Sequence, residues 1–326
     1  MRKITYQQAA TEAITQSMER DDRVFLIGEG VDNITGVYGH VLPAYQEFGS
    51  KRVIDTPLCE NGLTGFCVGA ALDGLRPVLI HQRNDFMLLA MDQMMNQAAK
   101  LKYASGGQHS VPLTILSFIA RKPGEGVQHS QSLQAIFSSF PGMKLCMPGS
   151  ACDAKGMVMA AISEEEPTIV LEHRSLFEEI DDVPIEPFET TQTACVVRSG
   201  KDLTIVGMSI GLIAIREAAA ELERRGTSIE VIDIRWLRPL DVATVVNSVR
   251  KTGRLLVVDA SWQMYSVSSE IIASVCERGT THLKARPRRI NLPDIPCPAS
   301  HFLVEHYYPN ATQIIGVALD MLNSRI

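Results

Sequence analysis

Three stretches of this chain put reactive side chains where a short strand gives way to a turn. The first is Asp55-Thr56-Pro57-Leu58-Cys59-Glu60-Asn61-Gly62-Leu63-Thr64-Gly65, in which a Pro-bearing turn delivers one carboxylate, Glu60, to the start of a Gly-, Ala- and Val-rich run. The second is His81-Gln82-Arg83-Asn84-Asp85-Phe86, and the third is Gly126-Val127-Gln128-His129-Ser130-Gln131. Acid, imidazole and guanidinium are side chains that exchange protons and hold anionic ligands. Each residue alone also has a plainer reading. Glu60 is favourable charge at a helix N-terminus, and His129 is a loop histidine bonded to nearby backbone. His81 and Arg83 are candidates to contact a substrate; Arg83 suits a carboxylate or phosphate on it, or a salt bridge to Asp85 or a subunit contact. Phe86 alone reads as a core residue.

The elements that must position these residues alternate regularly. Apolar runs predict strands at 23–27, 52–55, 77–81, 112–118, 144–147 and 168–172, and apolar spacing predicts helices over 5–20, 62–72, 86–103 and 153–163. Thr5 and Asp85 stand as N-caps and Gly106-Gly107 as a stop. Residues 31–40 and 119–132 read as loops, the first at the edge of a site. A second series follows, with strands at 203–207, 228–234, 255–259 and 289–292 and helices over 210–225, 242–250, 266–278 and 311–323. Alternation of this kind implies parallel sheets with helices on both faces. The fold class expected is α/β, two doubly wound domains, the second the smaller. Right-handed crossovers bring strand ends to one edge, and ligands in such sheets bind outside the carboxyl ends. Glu60, His81 with Arg83, and His129 all follow strands, so they form a constellation at that edge. The expected division is a first domain over 1–176, an acidic Pro-containing linker over 177–198 and a second domain over 199–326. The linker's charge reads as solvation, with attraction of a basic partner as the other account.

Composition narrows the classes. The chain has 326 residues, a net charge of −6 and ordinary apolar content, so length suits two full cores and nothing favours nucleic acid. Its seven Cys form no Cys-x-x-Cys pair, which argues for reduced thiols in a cytoplasm and gives no zinc pattern. The N-terminus shows no signal-peptide pattern, and the uncharged run 103–120 contains Gly106-Gly107 and Pro112, unlike a membrane span. There is no Gly-x-Gly-x-x-Gly opening a helix, no Walker A run, no Gly-x-Ser-x-Gly elbow and no His pair at metal-ligand spacing.

An ordered set of motifs then resembles one family. Asp55-Thr56-Pro57-Leu58-x-Glu60-x-Gly62-x-Thr64-Gly65, Gly69-Ala70-Ala71 and Gly74-Leu75-Arg76-Pro77 come first. Met91-Asp92-Gln93, Asn96-Gln97-Ala98-Ala99-Lys100, Ser105-Gly106-Gly107-Gln108, Gln128-His129-Ser130-Gln131 and Pro141-Gly142-Met143-Lys144 follow, with Ile232-Asp233-Ile234-Arg235-x-Leu237-Arg238-Pro239-Leu240-Asp241 in the second half. Together they resemble the β subunit of the thiamine-diphosphate-dependent 2-oxoacid dehydrogenases, over essentially the whole chain. The resemblance implies a transketolase-like pyrimidine-binding domain followed by a transketolase C-terminal-like domain. It implies that Glu60 bonds the aminopyrimidine of thiamine diphosphate and shares a proton with it, that Leu58 and Phe86 line that ring, and that His129 acts on the substrate as an acid or base.

The same resemblance implies what this chain lacks. The family holds the diphosphate through Mg²⁺ on a partner α subunit bearing Gly-Asp-Gly, a motif absent here. An α2β2 heterotetramer is therefore expected, with a lipoyl-bearing E2 protein as a further partner. A structural K⁺ is implied on carbonyls near Leu113, Ala161 and Ile162, although Ser163-Glu164-Glu165-Glu166-Pro167 departs from the family's pattern there. Two other departures, His81-Gln82-Arg83-Asn84-Asp85 before Phe86 and Trp262-Gln263-Met264-Tyr265-Ser266 for a Gly-rich turn, fall on the substrate half. The function expected is decarboxylation of a 2-oxoacid with transfer of the acyl group to a lipoyl carrier. A split transketolase-like or carboligase enzyme, and a non-catalytic structural subunit, are the alternatives.

Overall fold

The computed structural model describes residues 1–33, 39–121, 124–278 and 281–324. The chain divides into two units, Met1–Ala120 with Ile136–Thr191, and Arg121–Ala135 with Gln192–Ile326. Parts of the two expected loops, residues 34–38 and 122–123, lie outside the described residues.

From the N-terminus the elements are β1 (Arg2–Thr5), α1 (Tyr6–Arg20), β2 (Val24–Gly28), α2 (Leu42–Phe48), β3 (Val53–Asp55), α3 (Glu60–Leu72) and β4 (Arg76–His81). Then come α4 (Ala99–Ala104), β5 (Thr114–Ile119), α5 (Gln134–Ser138), β6 (Lys144–Cys146), α6 (Ala151–Ser163), β7 (Thr168–His173) and β8 (Ile180–Val183). In the first unit the strand order is β6-β7-β5-β4-β2-β3, all neighbours parallel. Strands β2, β4, β5 and β7 are buried along their whole length. That is the burial expected of a parallel sheet covered on both faces. Helix α1 starts where expected, with Thr5 and Gln8 closing a reciprocal capping box.

One predicted helix is a different object. Residues 86–103 were expected to form one helix capped by Asp85; instead a 3-10 turn, Phe86–Ala90, leads into a π-helical stretch, Asp92–Ala98, and only then into α4. Asp85 itself has helical backbone angles and makes no capping bond, because its carboxylate accepts from Asn84 Nδ2 at 3.2 Å. Apolar spacing marks which face is buried and does not distinguish these helix types.

The acidic stretch after β7 carries structure. Strand β8 pairs antiparallel with β1. Beyond it, the fully buried Lys155 of α6 donates to Pro184 O and Ile185 O, both at 2.8 Å, and to Glu12 Oε1 of α1 at 2.9 Å. A buried ammonium is tolerable only with such partners. A Cβ on Gly156 would stand 2.6 Å from Phe188 and Thr190, so this stretch lies directly on α6.

The second unit continues with β9 (Cys195–Arg198), β10 (Leu203–Gly207), α7 (Gly211–Arg224), β11 (Ile229–Asp233), β12 (Trp236–Arg238), α8 (Val242–Thr252) and β13 (Leu255–Trp262). It closes with α9 (Val267–Glu277), β14 (Arg288–Leu292), α10 (His301–Tyr307) and α11 (Ala311–Asn323). Its sheet runs β14-β13-β10-β11-β9, parallel except for β9 on the edge. Leu203, Ile205, Leu212, Ile215, Leu256 and Ile314 belong to its core. Among the described residues no helix is long and apolar enough to cross a membrane.

Two buried titratable groups in the first unit set a pH dependence. Glu172 of β7 and His40 are both fully buried, with Glu172 Oε2 3.5 Å from His40 Nε2. Burial pushes the Glu172 carboxyl up to about 8 and the His40 imidazole down to about 4, so both are neutral near pH 7. A carboxyl raised on folding costs stability progressively as pH climbs from about 4.5 to about 8. The buried histidine acts in the opposite sense between about 4 and 6.5. Glu172→Gln therefore gains on the wild type as pH rises through the first window, by on the order of a few kcal/mol. Thermal unfolding of both proteins across that range checks this, and a pH-independent difference contradicts it.

Candidate functional site

At the carboxyl edge of the first sheet, Gly28 of β2 is in register with Asp55 of β3 on one side and Ile80 of β4 on the other. Only glycine allows that approach, since a Cβ here would stand 2.6 Å from Ile80 O. The next residue, Glu29, is 8% exposed, and its Oε1 is buried without a hydrogen-bond partner. Its backbone carbonyl accepts from Gln82 Nε2 at 3.1 Å. Asp55 closes the turn by accepting from the N–H groups of Gly30, at 2.6 Å, and Val31, at 3.2 Å. Burial first, then the negative charges of Glu60 and Asp55, pushes the Glu29 carboxyl up to about 7.

Glu60 is half-buried in the first turn of α3, just after Cys59, which makes no side-chain capping bond. The Thr64 hydroxyl donates to Glu60 O at 2.8 Å and lies 3.1 Å from His81 Nε2. A hydroxyl has one proton to give, so with that proton on the carbonyl it accepts from His81, placing the imidazole proton on Nε2. His81 is 2% exposed, and burial lowers it to about 4, so it is neutral and packed beneath the first turn of α3. Its own carbonyl accepts from Ser117 Oγ at 2.8 Å. Leu58, before the helix, is 79% exposed.

Phe86 is half-buried at the head of the 3-10 turn, and its N–H donates to Arg83 O at 3.1 Å. Arg83 is half-buried as well. Helix α3 packs against both the 3-10 turn and the π-helical stretch. A Cβ on Gly65 would lie 3.3 Å from Gln93 Oε1, so the glycine lets Gln93 come close. The first unit thus carries Leu58, Glu60, His81, Arg83 and Phe86. His129 belongs to the second unit, half-buried directly after a 3-10 turn, Gly126–Gln128.

The residue that sequence reading passed over is Glu29. Its signal was there, as a carboxylate between Gly28 and Gly30 at the end of a strand, but nothing in the sequence alone reveals that it faces the charges of Glu60 and Asp55. Removing one of them tests this. In Glu60→Gln the Glu29 titration, followed by its carboxyl infrared absorbance, moves down from about 7; an unmoved midpoint contradicts the coupling.

The comparisons with known proteins agree along the chain. Residues 2–179 match the pyrimidine binding domain of transketolase, and residues 192–314 match the transketolase C-terminal domain. A pyruvate dehydrogenase E1 component subunit beta from Rhizobium meliloti (strain 1021) is 38% identical over 317 residues, 97% of this chain and 69% of that protein. The beta subunit of an acetoin:2,6-dichlorophenolindophenol oxidoreductase from Bacillus subtilis (strain 168) is 36% identical, covering 98% of each chain. Among solved structures, a split-gene transketolase in an inactive beta4 tetramer superposes with a TM-score of 0.80 over 99% of both chains, at 19% identity, a likeness of fold. The chain therefore belongs to the transketolase-like family of paired pyrimidine-binding and C-terminal domains, with the E1 beta subunits of the 2-oxoacid dehydrogenases.

Proposed function

We propose that this chain is the beta subunit of a cytoplasmic thiamine-diphosphate enzyme that decarboxylates a 2-oxoacid and passes the acyl group to a lipoyl carrier. The observation that carries the reading is Glu60 in the first turn of α3, facing the buried Glu29 at the carboxyl edge of a parallel sheet. A domain over 1–176 supplies the pyrimidine-binding half, and one over 199–326 follows the acidic stretch 177–198.

The residues of the first unit fit the aminopyrimidine end of the cofactor. Glu29 offers a buried oxygen with no partner, α3 presents a carboxylate, and Phe86 and Leu58 leave aromatic and apolar surface accessible. Thiamine diphosphate, when bound, supplies a carbanion at its thiazolium C2. Glu60 holds a proton at the ring nitrogen that it bonds, and Glu29, poised near neutrality, disfavours a second bare charge beside it. Phe86 orients the ring plane, and Leu58 shields it from water. His81, the other substrate candidate, is 2% exposed, neutral and tied to Thr64, and is assigned instead to support the first turn of α3. Arg83 is assigned to the substrate carboxylate, and His129 to proton transfer at the substrate oxygen.

The diphosphate and its Mg²⁺ are assigned to a partner alpha subunit in an α2β2 assembly, because this chain has no Gly-Asp-Gly. A lipoyl-bearing E2 is the proposed acceptor. The residues near Leu113, Ala161 and Ile162 do not fit a potassium ion. Their carbonyls accept from Thr168 N–H, Thr114 Oγ1 and Arg76 Nε at 2.9, 3.0 and 3.1 Å. The same guanidinium donates to Ser163 O and Glu164 O, which sets a positive charge beside the Ile162 carbonyl.

The test is reconstitution. This chain mixed with an alpha subunit bearing Gly-Asp-Gly converts a 2-oxoacid and acylates lipoamide, while neither chain does so alone. Activity of this chain by itself, or turnover only with an aldehyde or sugar acceptor, contradicts the reading; the second outcome points to a carboligase.

A further inference from the structure

His129 lies outside the regular helices and strands. The residue follows a single 3-10 turn, and its N–H donates to Gly126 O at 3.5 Å. A group that transfers protons must be held to within roughly 0.5 Å by its supporting shell. The segment is fastened at both ends within the second unit. On the N-terminal side, Arg121 lies 4.3 Å from the centre of the Tyr308 ring, and Gly124 N–H donates to Ala299 O at 3.0 Å. On the C-terminal side, Gln134, the first residue of α5, donates from Nε2 to Asp259 Oδ1 at 3.0 Å.

This last bond is built differently from a surface contact. Gln134 is 1% exposed and Asp259 is fully buried in β13, an interior strand. The other oxygen of Asp259 accepts from Ser268 N–H, in the first turn of α9, at 3.2 Å. A hydrogen bond to a carboxylate removed from water is short-range, directional and expensive to leave unmade. Between His129 and Gln134, the residues Ser130, Ser132 and Leu133 are buried, so the register at Gln134 passes to His129 through packed chain.

We propose that Gln134 and Asp259 are positioning residues for His129, fixing the C-terminal end of its segment to β13. The proposal rests on the role given to His129 above. Both residues are buried, so the effect assigned to them runs through the placement of the imidazole.

The experiment uses the full chain reconstituted with its alpha subunit. Gln134→Leu lowers kcat between about ten- and a hundred-fold, with substrate KM and cofactor affinity unchanged, and adds no further loss in a His129→Ala background. Combining Gln134→Glu with Asp259→Asn exchanges donor and acceptor, leaves an oxygen at 259 for Ser268 N–H, and restores kcat. Should Gln134→Leu fail to fold, this pair and its two single components are read in the same way. Losses that add in the His129→Ala background, a change confined to KM or cofactor affinity, or no rescue by the exchanged pair overturns the proposal. If His129→Ala itself leaves turnover intact, the role of His129 fails first, and that result is distinct from the others.

Discussion

A carboxylate withdrawn from water beside two other acids gives up its charge near neutral pH, and the carboxyl edge of the first sheet carries that constraint at Glu29. Gly28 brings β2 against Ile80, and the step to Glu29 then buries an acid facing Glu60 and Asp55. Asp55 spends its charge on two backbone N–H groups of the following turn. Glu29 meets the conflict by titrating near 7. An edge so arranged favours a ligand that arrives with a nitrogen able to take a share of a proton. An aminopyrimidine ring is such a ligand, in keeping with the half of thiamine diphosphate proposed to bind here.

The supports under the two assigned catalytic side chains differ in kind. Glu60 stands on a regular helix whose glycines allow close packing and whose first turn is braced by Thr64 and the neutral His81. His129 stands on a short turn held at its ends by a backbone bond, a ring contact and a buried amide–carboxylate bond. A helix carries its geometry in local bonds, whereas a loop must borrow its geometry from whatever it is fastened to.

Much of this was readable from residue order. The Thr5 cap, the strand runs and the Gly106-Gly107 stop are local signals, and each lies where its chemistry predicts. Long-range pairing was not readable. Strands β8 and β9 sit in or beside a stretch whose charge and prolines read as linker, because their partners β1 and β11 are far away in sequence or cross the usual alternation. Short α2, α5 and α10 have too few turns to show a period. The π-helical stretch after Phe86 leaves the same apolar spacing as an α-helix. Glu60 and His129 were proposed through their place after strands and through family motifs, while Glu29 needed three strand ends to be brought side by side.

The central claim is that Glu60 shares a proton with the cofactor's pyrimidine ring. Hydrogen–deuterium exchange at the thiazolium C2, measured in the reconstituted complex with and without Glu60→Gln, tests it most directly. The account predicts that the substitution slows exchange by orders of magnitude while the cofactor remains bound. Exchange at the wild-type rate, with the cofactor bound, would contradict it.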